Sequence, residues 1–186
     1  MPRWHRFSAR TAGFTQRIHE ADLKVFEQAL ERLENCPAGC DASCYRCLRS
    51  YRNRFEHPLL DRHVGASLLR YALSGTLPAM HPDRLARSQD RLHEDLKGLG
   101  IPGVTFTRST VVDIPGLGPV EAPILAERGG EQLIVGVHGP LAGDVAPDPK
   151  LQDAKELGST RVILVDDTEV THNLPFASNR VIGKIG

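Results

Sequence analysis

The sequence predicts an α+β protein built from two small modules: a helical four-cysteine zinc module, followed by a small α/β module. Three observations support this prediction. All four cysteines lie between positions 36 and 47, amphipathic helical patterns flank them, and short β-type runs separated by turn residues fill the second half. Because 186 residues suit one ordinary domain or two small ones, we place the zinc module at 1–75 and the α/β module at 82–186.

The composition is that of a folded, water-soluble protein. Apolar residues make up 40% and charged residues 25% of the chain, which excludes the compositions of disordered and collagen-like chains. No window approaches 18 consecutive apolar residues, and the N-terminal segment lacks the apolar stretch of a signal peptide. We therefore expect a cytoplasmic protein.

The net charge is zero, but the two halves differ. Residues 1–97 carry 16 Lys or Arg against 12 Asp or Glu, whereas residues 98–186 carry 7 against 11. Arginines are dense just after the cysteines, and the candidate nucleic-acid contacts are Arg46, Arg49, Arg52 and Arg54. A basic patch of this kind suits phosphate groups. A solvated helix face with salt bridges remains an open interpretation.

Helices are expected on both sides of the cysteines. Apolar residues recur three or four apart at Leu23, Phe26, Leu30 and Leu33, and again at Leu60, Val64, Leu68 and Tyr71. This spacing is typical of one apolar face of an amphipathic helix. The two patterns predict helices over 20–34 and 60–74 that enclose the cysteine loop.

The second module is predicted to follow the order α-β-β-β-α-β. A helix begins at Pro82, because proline suits the first helical turn. Three β-type runs then end in turns rich in glycine, which indicates an antiparallel meander. A short helix from Pro149 and a buried strand from Arg161 complete the order.

The cysteine spacing C-x3-C-x3-C-x2-C predicts a structural zinc site with Cys36, Cys40, Cys44 and Cys47 as its ligands. Zinc binds four thiolates tetrahedrally at about 2.3 Å, and a short loop containing proline and glycine can wrap the ion. Disulfides would close small, strained loops, and an iron–sulfur cluster favours other spacings. A Cys3His site using His57 or His63 also stays open, although we expect His57 to lie beside the site or at the surface.

Residues 36–73 resemble the end of the MrfA-type zinc-binding domain found in superfamily 2 helicases and in helicase-associated proteins of DISARM-type phage defence systems. The resemblance lies in Gly39-Cys40, Cys44-Tyr45, Cys47-Leu48, Tyr51, Asn53, His57 and Leu60-Asp61-Arg62. It covers about residues 1–73. Family members usually carry a glycine-rich stretch before the cysteines, where this chain has only Thr11-Ala12-Gly13.

This resemblance implies a cysteine-held zinc and a place beside a DNA-translocating helicase partner, in phage defence or in DNA repair. It also implies that Asn53 and the Asp61-Arg62 pair brace the cysteine loop on the following helix, although simple turn and helix-cap chemistry explains these residues equally well. No Walker A motif occurs, so we expect the motor to be another polypeptide. The corresponding hypothesis is that the chain is a split or truncated gene product whose larger half is encoded separately.

The predicted order of the second module is similar to the restriction-endonuclease-like core. That chemistry needs an Asp on one strand and E-x-K on the next, but Gly136 and His138 occupy the E-x-K positions. Asp113, Glu121 and Glu131 remain as possible metal ligands. We expect a degenerate, non-catalytic module, with an active nuclease or an unrelated small α/β domain as alternatives. Asp166 and Asp167 are expected to cap a turn.

Aromatic residues alternate with the arginines and admit two interpretations. They are Trp4, Tyr45, Tyr51, Phe55 and Tyr71. Such rings can stack bases of single-stranded nucleic acid, but we expect them to pack the zinc loop between its helices. The predicted function is a non-enzymatic zinc-binding accessory module that binds DNA or a helicase partner. The alternatives are a Mg²⁺-dependent nuclease subunit that uses Asp113 and Glu121, and a DNA-free scaffold subunit.

Overall fold

The computed structural model describes residues 23–76 and 79–185. The chain divides into two compact units, with the boundary between residues 78 and 79. The first unit contains the four cysteines between helices, and the second contains a four-stranded sheet with helices. The predicted α+β class is therefore confirmed. Within the described residues, no helix is long and apolar enough to cross a membrane.

Two helices bracket the cysteine loop in the first unit. Helix α1 spans Lys24–Glu34 and helix α2 spans Arg62–Ser74, with short 3-10 turns at Tyr51–Asn53 and His57–Leu59 between them. Helix α2 ends where Gly75 adopts the left-handed conformation (φ 70°), which glycine adopts without steric strain. The predicted helix start at residue 20 lies outside the described residues.

The apolar faces predicted for these helices are only partly buried. Leu33 of α1 and Ala66 of α2 are buried where the helices meet, and a Cβ on Gly65 would lie 3.0 Å from Leu33 Cδ1. Four of the predicted face residues are exposed instead: Leu23, Phe26, Leu68 and Tyr71. The helices form as predicted, but so small a unit has little interior to cover these apolar residues.

The second unit is built on one mixed sheet. Strands β1 (Val104–Ile114), β2 (Gly118–Arg128) and β3 (Glu131–His138) form an antiparallel meander. Strand β4 (Arg161–Asp166) then pairs in parallel with β3, with Leu133 opposite Arg161 and His138 opposite Asp166. The strand order β1-β2-β3-β4 follows the chain.

Helices cover both faces of this sheet. Helix α3 (Pro82–Gly98) precedes β1, helix α4 (Pro149–Leu157) connects β3 to β4, and α5 (Asp167–His172) and α6 (Leu174–Ile185) follow β4. Side chains of α3, α5 and α6 pack in one core, and those of α4 pack in a second core on the opposite face. The predicted order α-β-β-β-α-β is confirmed, with two more helices after it.

Asp166 and Asp167 stabilise the start of helix α5, which follows β4 directly. Asp166 Oδ1 accepts a hydrogen bond from the Thr168 backbone at 2.7 Å and caps α5. Asp167 is fully buried and accepts hydrogen bonds from Arg84 Nε at 2.7 Å and from the Ser88 hydroxyl, both on α3. The buried ion pair ties α5 to α3, an arrangement that the local pattern does not reveal.

Gly136 is required by close packing between β3, β4 and α4. A Cβ there would lie 2.9 Å from Leu164 Cδ2 and 3.0 Å from Leu151 Cδ2. We expect Gly136→Ala to destabilise the second unit by about 1–3 kcal/mol through overpacking, measured by hydrogen exchange of the β3 and β4 amides. The control is Gly183→Ala, where a Cβ meets nothing within 4 Å, so that exchange should slow or stay unchanged. Equal effects of the two substitutions would contradict the packing argument.

Candidate metal centre

The four cysteines converge because the loop after α1 turns back on itself twice. Cys36 follows the end of α1 directly, and Gly39, in the left-handed conformation (φ 55°), lets the chain turn toward Cys40. Backbone hydrogen bonds from Cys47 and Leu48 to the Cys44 carbonyl form the second turn. All four Sγ atoms lie within 4.8 Å of one another, and among the described residues they form the single group of this kind.

The distances between the sulfurs match a tetrahedron around one ion. The Sγ atoms are 3.6 Å apart for Cys36 and Cys44 and 3.7 Å apart for Cys36 and Cys40. The Cys40 to Cys47 and Cys44 to Cys47 separations are 3.6 and 3.8 Å. A tetrahedron with zinc about 2.3 Å from each sulfur has edges of about 3.8 Å. The cluster therefore fits a zinc ion held by four thiolates.

This geometry also decides between the chemical alternatives. All four cysteines are free thiols, so the predicted disulfide alternative does not apply. An iron–sulfur cluster spreads its cysteine sulfurs over several irons, whereas these sulfurs surround one point. Neither His57 nor His63 belongs to the cluster. The four-cysteine set is closed and leaves no position for a catalytic water.

The pKa values of two of the thiols are shifted in opposite directions. Hydrogen bonding from the Ala38 backbone, against the effect of burial, lowers the pKa of Cys36 to about 6. Burial, together with hydrogen bonds to the neighbouring thiols, raises the pKa of Cys40 to about 12. One thiolate is thus favoured and a second beside it is disfavoured. A divalent cation reverses this by stabilising all four thiolates at once.

Backbone amides add to the environment of the sulfurs. The Arg46 N–H donates to Cys44 Sγ at 3.3 Å, and the Cys44 N–H donates to Cys47 Sγ at 3.2 Å. Donors directed at sulfur stabilise its anionic form and orient it. The backbone of the loop therefore favours the thiolate form of these two cysteines.

Arg62 joins the loop to both helices. Its Nε donates to the Cys40 carbonyl at 2.7 Å, and its Nη1 donates to the carbonyls of Leu33 and Glu34 at 2.6 and 3.0 Å. These last two carbonyls lie in the final turn of α1, where acceptors have no helical partner. The Arg62 backbone N–H also donates to Ala42 O at 2.6 Å. The Arg62 side chain, at the start of α2, thus donates hydrogen bonds to backbone carbonyls at the end of α1 and in the metal loop.

Asp61 and Asn53 organise the backbone around Arg62. Asp61 is buried, and its Oδ1 accepts from the His63 and Val64 amides, so it caps α2. Asn53 accepts from the Ser50 amide at 2.7 Å and donates to Leu48 O at 2.9 Å. His57 Nε2 lies 3.0 Å from Ser50 O and 3.2 Å from Asn53 Oδ1, so it contacts the loop and not the sulfurs.

The four candidate arginines occupy different environments. Arg49 donates to the hydroxyl of buried Ser43 at 3.0 Å. Arg46 and Arg52 are exposed, and Arg54 lies over the rings of Tyr51 and Phe55 at 4.7 and 4.4 Å. Ser43 was not predicted, since a lone serine between two cysteines carries no local signal. The Y-x-x-R-F spacing could have revealed the stack, because it places an arginine beside two rings.

The expectation that the aromatic residues pack the loop between its helices is wrong. Tyr45 is 68% exposed, Tyr51 74% and Phe55 78%. Tyr71 is also exposed, and Trp4 lies outside the described residues. Polar contacts of Asn53, Asp61 and Arg62 hold the loop instead, which leaves these rings at the surface.

The acidic candidates of the second unit lie on different strands of the described sheet. Asp113 pairs with Pro119 and Glu121 with Val111 along β1 and β2, and both side chains are exposed. Glu131 lies at the start of β3 and forms an ion pair with Arg161 at 3.1 Å. Within the described residues, no group of three acidic or histidine ligands is assembled here. His138 is buried, and its Nδ1 lies 2.9 Å from Gly139 O.

The first unit is therefore a small helical module with a four-cysteine centre suited to structural zinc. Comparison with protein families agrees with this class: the family described as the MrfA Zn-binding domain matches residues 8–48. This match confirms the resemblance predicted from the sequence. It ends at Leu48, so the resemblance at Asn53 and at Asp61-Arg62 lies beyond the matched residues.

The chain is also similar to Druantia protein DruE of Escherichia coli (strain UMEA 4076-1), with 28% identity over 172 residues. The alignment covers 91% of this chain but 8% of the relative. The chain thus spans about 8% of the length of the curated relative it matches. No solved structure matches it at a significant level.

Removal of zinc should unfold the first unit and leave the second intact. Zinc affinity at such a site is folding free energy, and few apolar side chains of this unit are buried. We expect chelation to abolish amide protection in α1 and α2 while β3 keeps its protection, measured by hydrogen exchange. Cys40→Ser should reproduce the loss, and Asp41→Asn, at an exposed neighbour, should not. Full protection of α1 and α2 after chelation would contradict the prediction.

We expect the contacts of Arg62 to slow the release of zinc from the loop. We expect Arg62→Lys to release zinc to a competing chelator about tenfold faster, because a lysine ammonium cannot reach the carbonyls of Cys40, Leu33 and Glu34 together. The matched control is Arg70→Lys, because Arg70 lies on the same helix as Arg62. Its side chain forms an ion pair with Glu34, at the end of α1, that a lysine can replace. Equal release rates in the two variants would refute a special role for Arg62.

Proposed function

We propose that this chain is a zinc-folded, non-enzymatic accessory module of a helicase-type DNA-processing system, acting in defence, and that it contacts DNA through arginines beside the zinc loop. The observation that carries the proposal is the tetrahedral four-sulfur cluster with no open position. Such a centre supplies folding free energy and not chemistry. In this proposal Cys36, Cys40, Cys44 and Cys47 are the zinc ligands.

The helicase-type partner is proposed from the resemblance to the MrfA-type domain. The match to the MrfA Zn-binding domain supports it, and the similarity to Druantia protein DruE supports a place in the same kind of system. In the absence of a nucleotide-binding motif in the sequence, the motor activity would belong to the partner. The zinc module would then position its basic surface relative to that motor.

The proposed DNA contact rests on the arginines that follow the metal loop. Among the described residues, Arg46, Arg52 and Arg54 form no ion pair with a carboxylate and donate no side-chain hydrogen bond to the protein. Guanidinium groups left available in this way suit phosphate oxygens, which they bind with two parallel hydrogen bonds. Arg49, held by Ser43, would add a fixed positive charge nearby.

We propose that the second unit packs or binds and does not cleave. Gly136 and His138 stand where a nuclease of this topology would carry its Glu and Lys, and the space beside Gly136 is filled by Leu151 and Leu164. Asp113 and Glu121 are exposed on β1 and β2 without a lysine at motif spacing. A nuclease built on this pair is the rival proposal, and incubation with Mg²⁺ and plasmid or single-stranded DNA tests it. Cleavage that disappears in Asp113→Ala would establish the rival.

DNA binding by the basic residues can be measured by fluorescence anisotropy over a range of salt concentrations. We expect Arg46→Ala with Arg52→Ala to weaken binding and to reduce the slope of log K against log salt by about 1.4–1.8, which corresponds to two phosphate contacts. The control is Arg87→Ala with Arg91→Ala, which removes two exposed arginines of α3 and the same charge. Its slope should remain unchanged.

Two results would count against the proposal. Unchanged DNA mobility in the presence of the intact, zinc-loaded chain at low salt would favour a DNA-free scaffold subunit. Equal losses in the two arginine pairs would mean that binding follows overall charge and not the surface beside the zinc loop.

A further inference from the structure

The zinc loop exposes large apolar rings that a folded unit normally covers. Tyr51 is 74% and Phe55 78% exposed, and Tyr45 and Leu59 are exposed nearby in the sequence. Arg54 lies over both Tyr51 and Phe55, 4.7 and 4.4 Å from the ring centroids. We call Tyr45, Tyr51, Arg54 and Phe55 the stacking surface. Large exposed apolar side chains grouped in this way mark a candidate binding surface.

We infer that the stacking surface binds single-stranded nucleic acid, with bases stacked on the rings of Tyr45, Tyr51 and Phe55 and the backbone phosphates held by Arg46, Arg52 and Arg54. This inference rests on the proposed function and identifies the kind of nucleic acid and the way in which it is bound. Every base offers a π face, so such a surface binds without strong sequence preference.

Ring geometry favours a single strand over a duplex. Arg54 occupies one face of the Tyr51 ring and one face of the Phe55 ring, and the high exposure of both residues leaves further ring surface open to a ligand. Bases inside a duplex are already stacked and cannot reach these faces, whereas bases of a single strand can. Binding of a duplex through its phosphates requires arginines only, so exposed rings among the arginines favour a single strand.

Charge favours a polyanion over a protein partner with an apolar face. A zinc ion with four thiolates carries a net charge of −2, and Arg62 and Arg49 are the arginines bonded to the loop beside it. Arg46, Arg52 and Arg54 are further positive charges that no described carboxylate neutralises. Burial of these three beneath an apolar partner would remove their hydration without compensation. Phosphate groups supply that compensation.

The rings are held in place without being buried. Asn53 fixes the turn that carries Tyr51 through its bonds to Ser50 and Leu48. His57 bonds to the same turn and meets the Tyr45 ring edge-on, with centroids 5.4 Å apart. A ligand therefore meets rings whose positions are already ordered, which lowers the entropy lost on binding. These contacts follow directly after the metal ligand Cys47 in the chain, so we expect loss of zinc to disturb the rings as well.

The test is anisotropy with a labelled oligothymidylate of about 20 nucleotides and the corresponding duplex, using the full zinc-loaded chain. We expect tighter binding of the single strand, and a loss of about tenfold in Tyr51→Ala with Phe55→Ala. The salt slope should not change, because no charge is removed. The variant Tyr51→Phe with Phe55→Tyr keeps both rings and should bind as the parent does.

Controls separate stacking from folding and from general apolar contact. Phe176→Ala with Leu99→Ala removes two exposed apolar side chains of the second unit and should leave binding unchanged. Zinc content and amide protection of α1 and α2 check that each variant folds. If Tyr51→Ala with Phe55→Ala lost zinc, the stacking inference would be tested with Tyr51→Phe plus Phe55→Tyr and with the single substitution Tyr45→Ala. We expect Tyr45→Ala to weaken binding of the single strand and to leave binding of the duplex unchanged.

The outcomes distinguish this inference from the function on which it rests. Loss of binding in the arginine variants, but not in the aromatic ones, would overturn the stacking inference and leave the proposed DNA contact standing. Equal affinity for duplex and single strand would also overturn the stacking inference. Absence of binding to either DNA would overturn both proposals, and would assign the exposed rings to a protein partner.

Discussion

The first unit depends on a divalent cation that stabilises four cysteine thiolates held close together. Hydrogen bonding lowers the pKa of Cys36 to about 6, while burial and the neighbouring thiols raise the pKa of Cys40 to about 12. The sulfurs nevertheless stand at the corners of a tetrahedron of the right size for zinc. Since Leu33, Cys36 and Ala66 are the buried apolar residues described in this unit, the apolar core is too small to hold two helices by itself.

Arg62 connects that metal centre with the helices. Its guanidinium bonds to three carbonyls, from Leu33, Glu34 and Cys40, so that the end of α1 and the metal loop share one donor group. The loop beyond it is fixed by Asn53 and Asp61 and not by its rings, which is why Tyr51 and Phe55 remain exposed. The exposed rings of Tyr51 and Phe55 therefore follow the metal loop in the chain, but none of the metal ligands lies among them.

The second unit is held mainly by the burial of apolar side chains. Its sheet has a packed core on each face, and the buried ion pair between Arg84 and Asp167 joins helices on one side. Gly136 stands where α4, β3 and β4 come closest, so a side chain at this point is excluded by packing. A glutamate at that position would require a different core.

The sequence by itself determined the α+β class, the order of helices and strands along the second unit and the four cysteines suited to zinc, because spacing and periodicity are local properties. Only the tertiary structure decided which apolar residues are buried. Phe26, Leu68 and Tyr71 follow the helical period yet are exposed, since burial depends on what lies opposite each face. The same holds for Asp167, whose partner Arg84 is 83 residues away, and for the contacts of Arg62 with carbonyls 22 to 29 residues away. Long-range contacts of this kind leave no periodic signal in one sequence.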